Sequence, residues 1–127
     1  MVHVNVLKTA VNKVSPVSIG NALERERLFA LFKGEWPATS YWISGPGGSG
    51  KTTLVASYLK QGNNRSAWYQ VDAQDADPAT FFYYFSQSLN ILSDIPEPLP
   101  LFAPEYLSNI DTFALRYFEQ AFHNLHP

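Results

Sequence analysis

The sequence contains no cysteine among its 127 residues, which excludes disulfide bonds and metal sites built on thiolates. It also lacks an apolar run long enough for a signal peptide or a membrane-spanning helix. Both absences are compatible with a reducing compartment. From them we expect a soluble, cytoplasmic protein with no membrane partner.

An excess of charge of either sign is also missing. Nine Lys and Arg residues stand against eleven Asp and Glu residues, for a formal net charge of −2, and the basic residues are scattered along the chain. Nucleic-acid binding usually needs basic residues gathered on one surface, because they must neutralise phosphates. We therefore expect no direct nucleic-acid binding by this segment.

The most informative pattern that is present is a glycine-rich loop of the form G-x-x-x-x-G-K-[ST]. Its residues are Gly45, Pro46, Gly47, Gly48, Ser49, Gly50, Lys51 and Thr52, and Thr53 follows them. A strand-like segment, residues 40–44, precedes the loop, and a helix-like segment, residues 53–60, comes after it. The glycines allow the backbone to wrap its N–H groups around a phosphate. The pattern predicts a site for a nucleoside triphosphate.

Each polar residue of this loop has a separate predicted task. Lys51 places an ammonium against the β- and γ-phosphates, and the Thr52 hydroxyl is a ligand for Mg²⁺. The positive end of the following helix dipole favours the anionic phosphates. The three histidines, His3, His123 and His126, have no metal-like spacing, so we expect no metal beyond Mg²⁺ held with the nucleotide.

The remaining sequence predicts alternating helices and strands. Residues 1–18 are expected to form an extended arm, and residues 19–127 a nucleotide-binding domain with helices at 21–33 and 53–60 and a second strand at 67–71. Asp77 and Pro78 are a typical helix start, and four prolines between 96 and 104 indicate a loop. A last helix is expected from Asp111, with an apolar stripe of Phe113, Tyr117, Phe118, Ala121, Phe122 and Leu125. Strand, helix and strand in succession predict an α/β fold with a parallel sheet.

Two features leave alternatives open. The aromatic run at residues 81–85 is too long for one helix face, so part of it is expected in the core or against a partner. Asp72 ends the second predicted strand and is either a turn residue or a group near the nucleotide. Asp75 and Asp77 are expected to be a turn residue and a helix cap.

Four blocks of sequence resemble the amino-terminal end of the MalT-like signal-transduction ATPases, the STAND regulators of bacteria. They are Val6-Leu7-Lys8 with Pro16 downstream, Arg25-Glu26-Arg27-Leu28, residues 45–54, and residues 67–72 followed by 75–81. The resemblance extends over about residues 7–92, and Ser49 departs from the Ala or Gly that the family usually has in part of the loop. It implies a P-loop NTPase fold, a three-layer α/β structure with a parallel sheet, in which ATP acts as a switch of a transcriptional regulator.

In such ATPases a later strand carries an acid that helps to hold Mg²⁺, and Pro127 falls just short of it. The resemblance thus implies an incomplete domain, truncated before that strand, whose aromatic surfaces meet the rest of a larger regulator or an oligomeric partner. ATP hydrolysis is expected only in a longer chain. Two other functions stay open. One is a small-metabolite kinase of the P-loop class, in which Asp72 or Asp75 would bind the acceptor near the loop, and the other is a P-loop interaction module that hydrolyses nothing.

Overall fold

A computed structural model of the chain describes residues 12–20, 25–33, 40–63, 65–92 and 97–125. The helices are α1, Glu26–Phe32; α2, Lys51–Gly62; α3, Pro78–Asn90; and α4, Ile110–Leu125. Two 3-10 segments, Ala73–Ala76 and Pro104–Asn109, precede α3 and α4. No helix in the described part of the chain is both long and apolar enough to cross a membrane.

The chain divides into two compact units. The first, Val17–Asn64, holds α1, the glycine-rich loop and α2, and we call it the loop unit. The second, which we call the aromatic unit, combines Met1–Pro16 with Arg65–Pro127 and holds α3, α4 and both 3-10 segments. Of the predicted arm, residues 1–11 lie outside the described residues, and residues 12–14 form a helical turn.

The predicted three-layer α/β fold with a parallel sheet is wrong, because the described residues are helical and contain no β-strand. Residues 40–46 and 65–72 have no regular secondary structure, although strands were predicted within both. A strand forms only when a neighbouring strand supplies a ladder of backbone hydrogen bonds. In the segment at 65–72 the N–H of Gln70 donates to the carbonyl of Lys13 at 2.9 Å, and in the other segment Trp42 is 94% exposed.

The loop unit is held together where α1 packs on α2. The buried ring of Phe29 meets the edge of the Tyr58 ring at 5.6 Å between centroids, and Phe32 lies 4.7 Å from the same ring. Tyr41 adds to this group, since its ring packs on Phe32 and its hydroxyl donates to the Phe32 carbonyl at 2.9 Å. The predicted helix at 21–33 thus ends at Phe32, and residues 21–24 lie outside the described part.

In the aromatic unit, α3 begins as its sequence predicts. Asp77 is the N-cap: its carboxylate accepts hydrogen bonds from the N–H of Thr80 at 3.0 Å and from the Thr80 hydroxyl at 2.7 Å. Pro78 is the first helical residue, where its missing N–H leaves no bond unmade. The predicted cap role of Asp77 is confirmed.

The core of the aromatic unit is formed by rings of α3 and α4. Phe82, Phe113 and Tyr117 are its buried centre, and the partly buried residues around them are Phe81, Phe85, Leu99, Phe102, Ala114 and Phe118. The hydroxyls of Tyr117 and Ser86 lie 2.6 Å apart, so the one polar atom of the Tyr117 side chain is hydrogen-bonded inside the core. The aromatic run at 81–85 is therefore mainly core, with Tyr83 61% exposed.

Two details of α4 differ from the prediction. The helix begins at Ile110, so Asp111 lies in its first turn and is not its cap. Phe122 was predicted on the buried stripe but is 60% exposed, whereas Phe113, Tyr117 and Ala121 are buried as predicted. A helical apolar stripe is wider than the contact that one neighbouring helix can cover, so its edge residues stay at the surface.

Candidate functional site

The glycine-rich loop of the loop unit has a tight, left-handed backbone at two positions. Gly48 and Gly50 have φ angles of 76° and 80°, values that residues with a Cβ rarely adopt. The N–H of Ser49 donates to the carbonyl of Pro46 at 3.2 Å, and this bond closes the turn that contains Gly48. Gly50 is then the N-cap of α2, so the loop leads directly into a helix N-terminus.

Lys51 is the first residue of α2, and its side chain folds back over the loop. The ammonium donates to the carbonyls of Gly45 at 2.7 Å and Pro46 at 2.9 Å, and it lies 3.5 Å from the Ser49 hydroxyl. The loop therefore surrounds a cation with its own oxygen atoms. A phosphate placed at the loop would offer the same ammonium charged oxygens, which form stronger hydrogen bonds than neutral carbonyls do.

The other two predicted ligands, Thr52 and Thr53, follow Lys51 in the first turn of α2, where Thr52 is exposed and Thr53 is half-buried. The first N–H groups of a helix have no intrahelical acceptor and carry its positive dipole end. Within α2, all of whose residues the structure describes, no acidic side chain stands in the first turn to compete for them. This end of α2 is therefore suited to an anion.

Arg25 is a further residue of this site, and sequence reasoning assigned it no role beyond its place in the Arg-Glu-Arg-Leu block. Its guanidinium donates to the Ser49 carbonyl at 3.1 Å. A Cβ built on Gly50 would lie 2.7 Å from Nη2 of Arg25. A side chain at Gly50 would thus have to displace the end of the Arg25 side chain, and it would also have to adopt a left-handed backbone.

A groove of about 500 Å³ lies beside the loop, and Arg25 and Lys51 are the charged residues in its lining. The rest of the lining is apolar or aromatic: Leu28, Leu31, Phe32, Tyr41, Trp42, Ile43 and Leu54, together with loop atoms. A second groove, of about 640 Å³, runs along α3 in the aromatic unit, and its charged lining residue is Glu97. An anionic ligand is therefore favoured at the first groove and disfavoured at the second.

Asp72 and Asp75, the acids considered for a role near the nucleotide, are paired with Lys13 inside the aromatic unit. The Lys13 ammonium lies 2.8 Å from Asp72 and 2.7 Å from Asp75, and the side chains of Lys13 and Asp75 are 3% and 4% exposed. Asp75 also accepts from the Tyr69 hydroxyl, and Asp72 caps the 3-10 segment by accepting from the N–H of Gln74 at 2.8 Å. We call Lys13, Tyr69, Asp72 and Asp75 the Lys13 cluster. Asp72 is thus the N-cap of the 3-10 segment and Asp75 lies within it.

These contacts change the proton affinities of the cluster. Burial opposes the charged form of Lys13, but its hydrogen bonds with Asp72 and Asp75 outweigh burial and raise the pKa of Lys13 above 10.5. Burial likewise opposes ionisation of Asp75, yet hydrogen bonds from Lys13 and Tyr69 lower its pKa below 3.8. Burial, followed by the bond to Asp75, raises the pKa of Tyr69 above 10.0. The two carboxylates are thus ionised and already paired, and the described residues include no group of three or more His, Asp or Glu suited to a metal ion.

Comparison with known proteins finds similarity to transcriptional regulators. The chain is 36% identical over 78 residues to the HTH-type transcriptional regulator MalT of Vibrio cholerae, a match that covers 59% of this chain. It is 33% identical over 78 residues to MalT of Serratia proteamaculans and 35% identical over 69 residues to MalT of Cronobacter sakazakii, which cover 61% and 54% of this chain. These matches span about 8% of the length of each relative.

No protein-family profile matches the chain, and no solved structure matches it. The similarity therefore rests on the sequence relatives, which match between 54% and 61% of this chain.

Proposed function

We propose that this chain binds ATP through the loop from Gly45 to Thr52 and serves as the nucleotide-responsive segment of a MalT-like transcriptional regulator of the STAND class. The observation that carries the proposal is the position of Lys51, whose ammonium lies on the inner side of a loop with left-handed glycines and at the start of α2. The similarity to MalT regulators supports the regulatory part of the proposal.

The residues fit a phosphate chain by their chemistry. Lys51 supplies a cation, and the N-terminus of α2 supplies unpaired N–H donors. The groove beside the loop offers apolar and aromatic surface for an uncharged part of the ligand. Thr52 is the residue that would hold Mg²⁺, since its exposed hydroxyl follows Lys51 directly. When bound, Mg²⁺ neutralises charge on the phosphates, and the protein residues hold and orient the ligand around it.

Titration with ATP and Mg²⁺ by calorimetry tests this proposal. We expect Lys51→Ala to weaken ATP binding by about 1.5–3 kcal/mol, the value of a hydrogen bond to a charged group. Lys60→Ala is the matched control, because Lys60 lies in the last turn of the same helix and should leave the affinity unchanged. Equal affinities of the wild type and Lys51→Ala would refute the site. In the same titrations, Thr52→Ala should bind ATP with a smaller gain from Mg²⁺.

A nucleotide-binding module without hydrolysis is the second candidate, and the Lys13 cluster favours it. Asp72 and Asp75 are already paired with Lys13, so neither is free to hold Mg²⁺ or to position water. The same pairing disfavours the small-metabolite kinase, in which one of these acids would bind the acceptor. Phosphate release measured with saturating ATP separates the candidates: turnover that Lys51→Ala abolishes indicates an ATPase, and binding without turnover indicates the module.

A further inference from the structure

Arg25 and the phosphate loop are joined although 24 positions separate Arg25 from Ser49 in the sequence. The guanidinium of Arg25 donates to the carbonyl of Ser49 at 3.1 Å and lies against Gly50, the residue just before Lys51. This bond ends on the backbone of the loop, at the point where the loop becomes α2. It can therefore influence how the loop is shaped before any ligand arrives.

The backbone of Arg25 is itself held in place. Its carbonyl accepts hydrogen bonds from the N–H groups of Leu28 at 2.8 Å and Phe29 at 3.0 Å, which fixes it at the start of α1. α1 in turn packs on α2 through Phe29 and Tyr58. Arg25 therefore connects the loop to α1, and α1 is packed on α2, the helix that begins directly after the loop at Lys51.

We propose that Arg25 is a positioning residue for the phosphate loop: it fixes the Ser49–Gly50 backbone so that Lys51 and the first N–H groups of α2 face the phosphates together. This inference rests on the proposed ATP binding at the loop. It assigns Arg25 a contact with the loop and none with the nucleotide. A loop without this bond has more backbone conformations to lose when it closes on a phosphate, and binding is weaker for that reason.

The test combines two measurements on Arg25→Ala, Arg25→Lys and the control Arg27→Ala. Arg27 is an exposed residue of α1 and lies two positions from Arg25. The first measurement is amide hydrogen exchange of residues 45–51 in the nucleotide-free protein. The second is the affinity for ATP and for inorganic tripolyphosphate, each with Mg²⁺.

We expect faster exchange of the loop amides in Arg25→Ala and an affinity for both ligands that is lower by about 3- to 10-fold, as for the loss of one hydrogen bond. Arg25→Lys keeps a donor and should recover part of both effects, and Arg27→Ala should show neither. Two results overturn the proposal: unchanged affinities in Arg25→Ala, or a loss of affinity without any change in loop exchange, which indicates direct contact with the ligand. If the wild type binds neither ligand, the ATP site itself is refuted, while the exchange data still show whether Arg25 orders the loop.

Discussion

At the scale of single residues, the backbone conformation of the loop depends on the positions of its left-handed glycines. Gly48 and Gly50 have positive φ angles, whereas Gly47 does not, and a Cβ added at Gly47 would meet no atom of the described residues within 4 Å. The motif requires glycine at positions 45 and 50 only, whereas the structure has a left-handed backbone at Gly48 and Gly50. Among the glycines of the loop, Gly50 combines a left-handed backbone with the close approach of Arg25.

Gly50→Ala is therefore expected to destabilise the protein by about 1–2 kcal/mol, the cost of a left-handed residue that has a Cβ. The substitution should also displace the Arg25 guanidinium from Ser49, since the new Cβ would lie 2.7 Å from Nη2. Gly47→Ala is the control and should change the free energy of unfolding by less than about 0.5 kcal/mol. Urea unfolding of both variants measures the difference, and equal stabilities would contradict this account of Gly50.

In the double variant Arg25→Ala with Gly50→Ala, the clash between the new Cβ and the Arg25 guanidinium is removed, and the strain of the left-handed backbone remains. The two substitutions should therefore combine to less than the sum of their separate effects. Simple additivity would mean that the contact between Arg25 and Gly50 contributes nothing.

At the scale of helices, α4 shows which part of an apolar stripe carries stability. Phe113 is 4% exposed and touches Phe82, whereas Phe122 on the same helix is 60% exposed. Phe113→Ala should lower the free energy of unfolding by about 3–5 kcal/mol, because it leaves a cavity among the rings. Phe122→Ala should cost less than about 1 kcal/mol. Comparable losses in chemical unfolding would show that Phe122 is buried in solution.

The same comparison shows what the sequence could predict. The start of α3 follows from local chemistry, since the pair Asp77-Pro78 acts within one helical turn, whereas α2 begins at Lys51, two residues before its predicted start. The predictions of strands at 40–44 and 67–71 were wrong because a strand needs a neighbouring strand to pair with. A local pattern of apolar residues does not show whether such a neighbour is present. The pairing of Lys13 with Asp75, 62 positions apart, and the contact of Arg25 with Ser49 leave no local pattern from which they could be read.

At the scale of the whole molecule, the Lys13 cluster makes stability depend on pH at both ends of the range. The pKa of Asp75 is below 3.8 in the folded protein, so its contribution is present above 3.8 and is lost as the pH falls through the folded value. The pKa values of Lys13 and Tyr69 are raised, so their contributions are complete below about 10 and are lost as the pH rises through the folded values. The cluster therefore stabilises the protein most between these limits.

Lys13→Met tests this dependence, because it removes the ammonium and keeps a stem of similar length. At neutral pH the variant should be less stable by roughly 3 kcal/mol, since Asp75 is left charged and buried without a cation. The difference from the wild type should shrink as the pH falls, and it should do so already above about pH 4, because burial without a cation raises the pKa of Asp75 in the variant. A difference that stays constant from acidic to neutral pH would show that Lys13 acts through packing alone. Lys60→Met serves as the surface control.

The contacts between Lys13 and residues 70–75 also affect what happens when the peptide chain is cleaved. Residues on both sides of the loop unit belong to the aromatic unit, so the loop unit is an insertion in its sequence. The carbonyl of Lys13 accepts from Gln70, and its ammonium holds Asp72 and Asp75. A proteolytic nick at a single site within residues 17–64 would thus leave two fragments that are no longer joined covalently but that the contacts of Lys13 still help to hold together. Gel filtration of the nicked protein should recover both fragments in one peak, and Lys13→Met should weaken the association of the fragment that contains residue 13 with the other fragment.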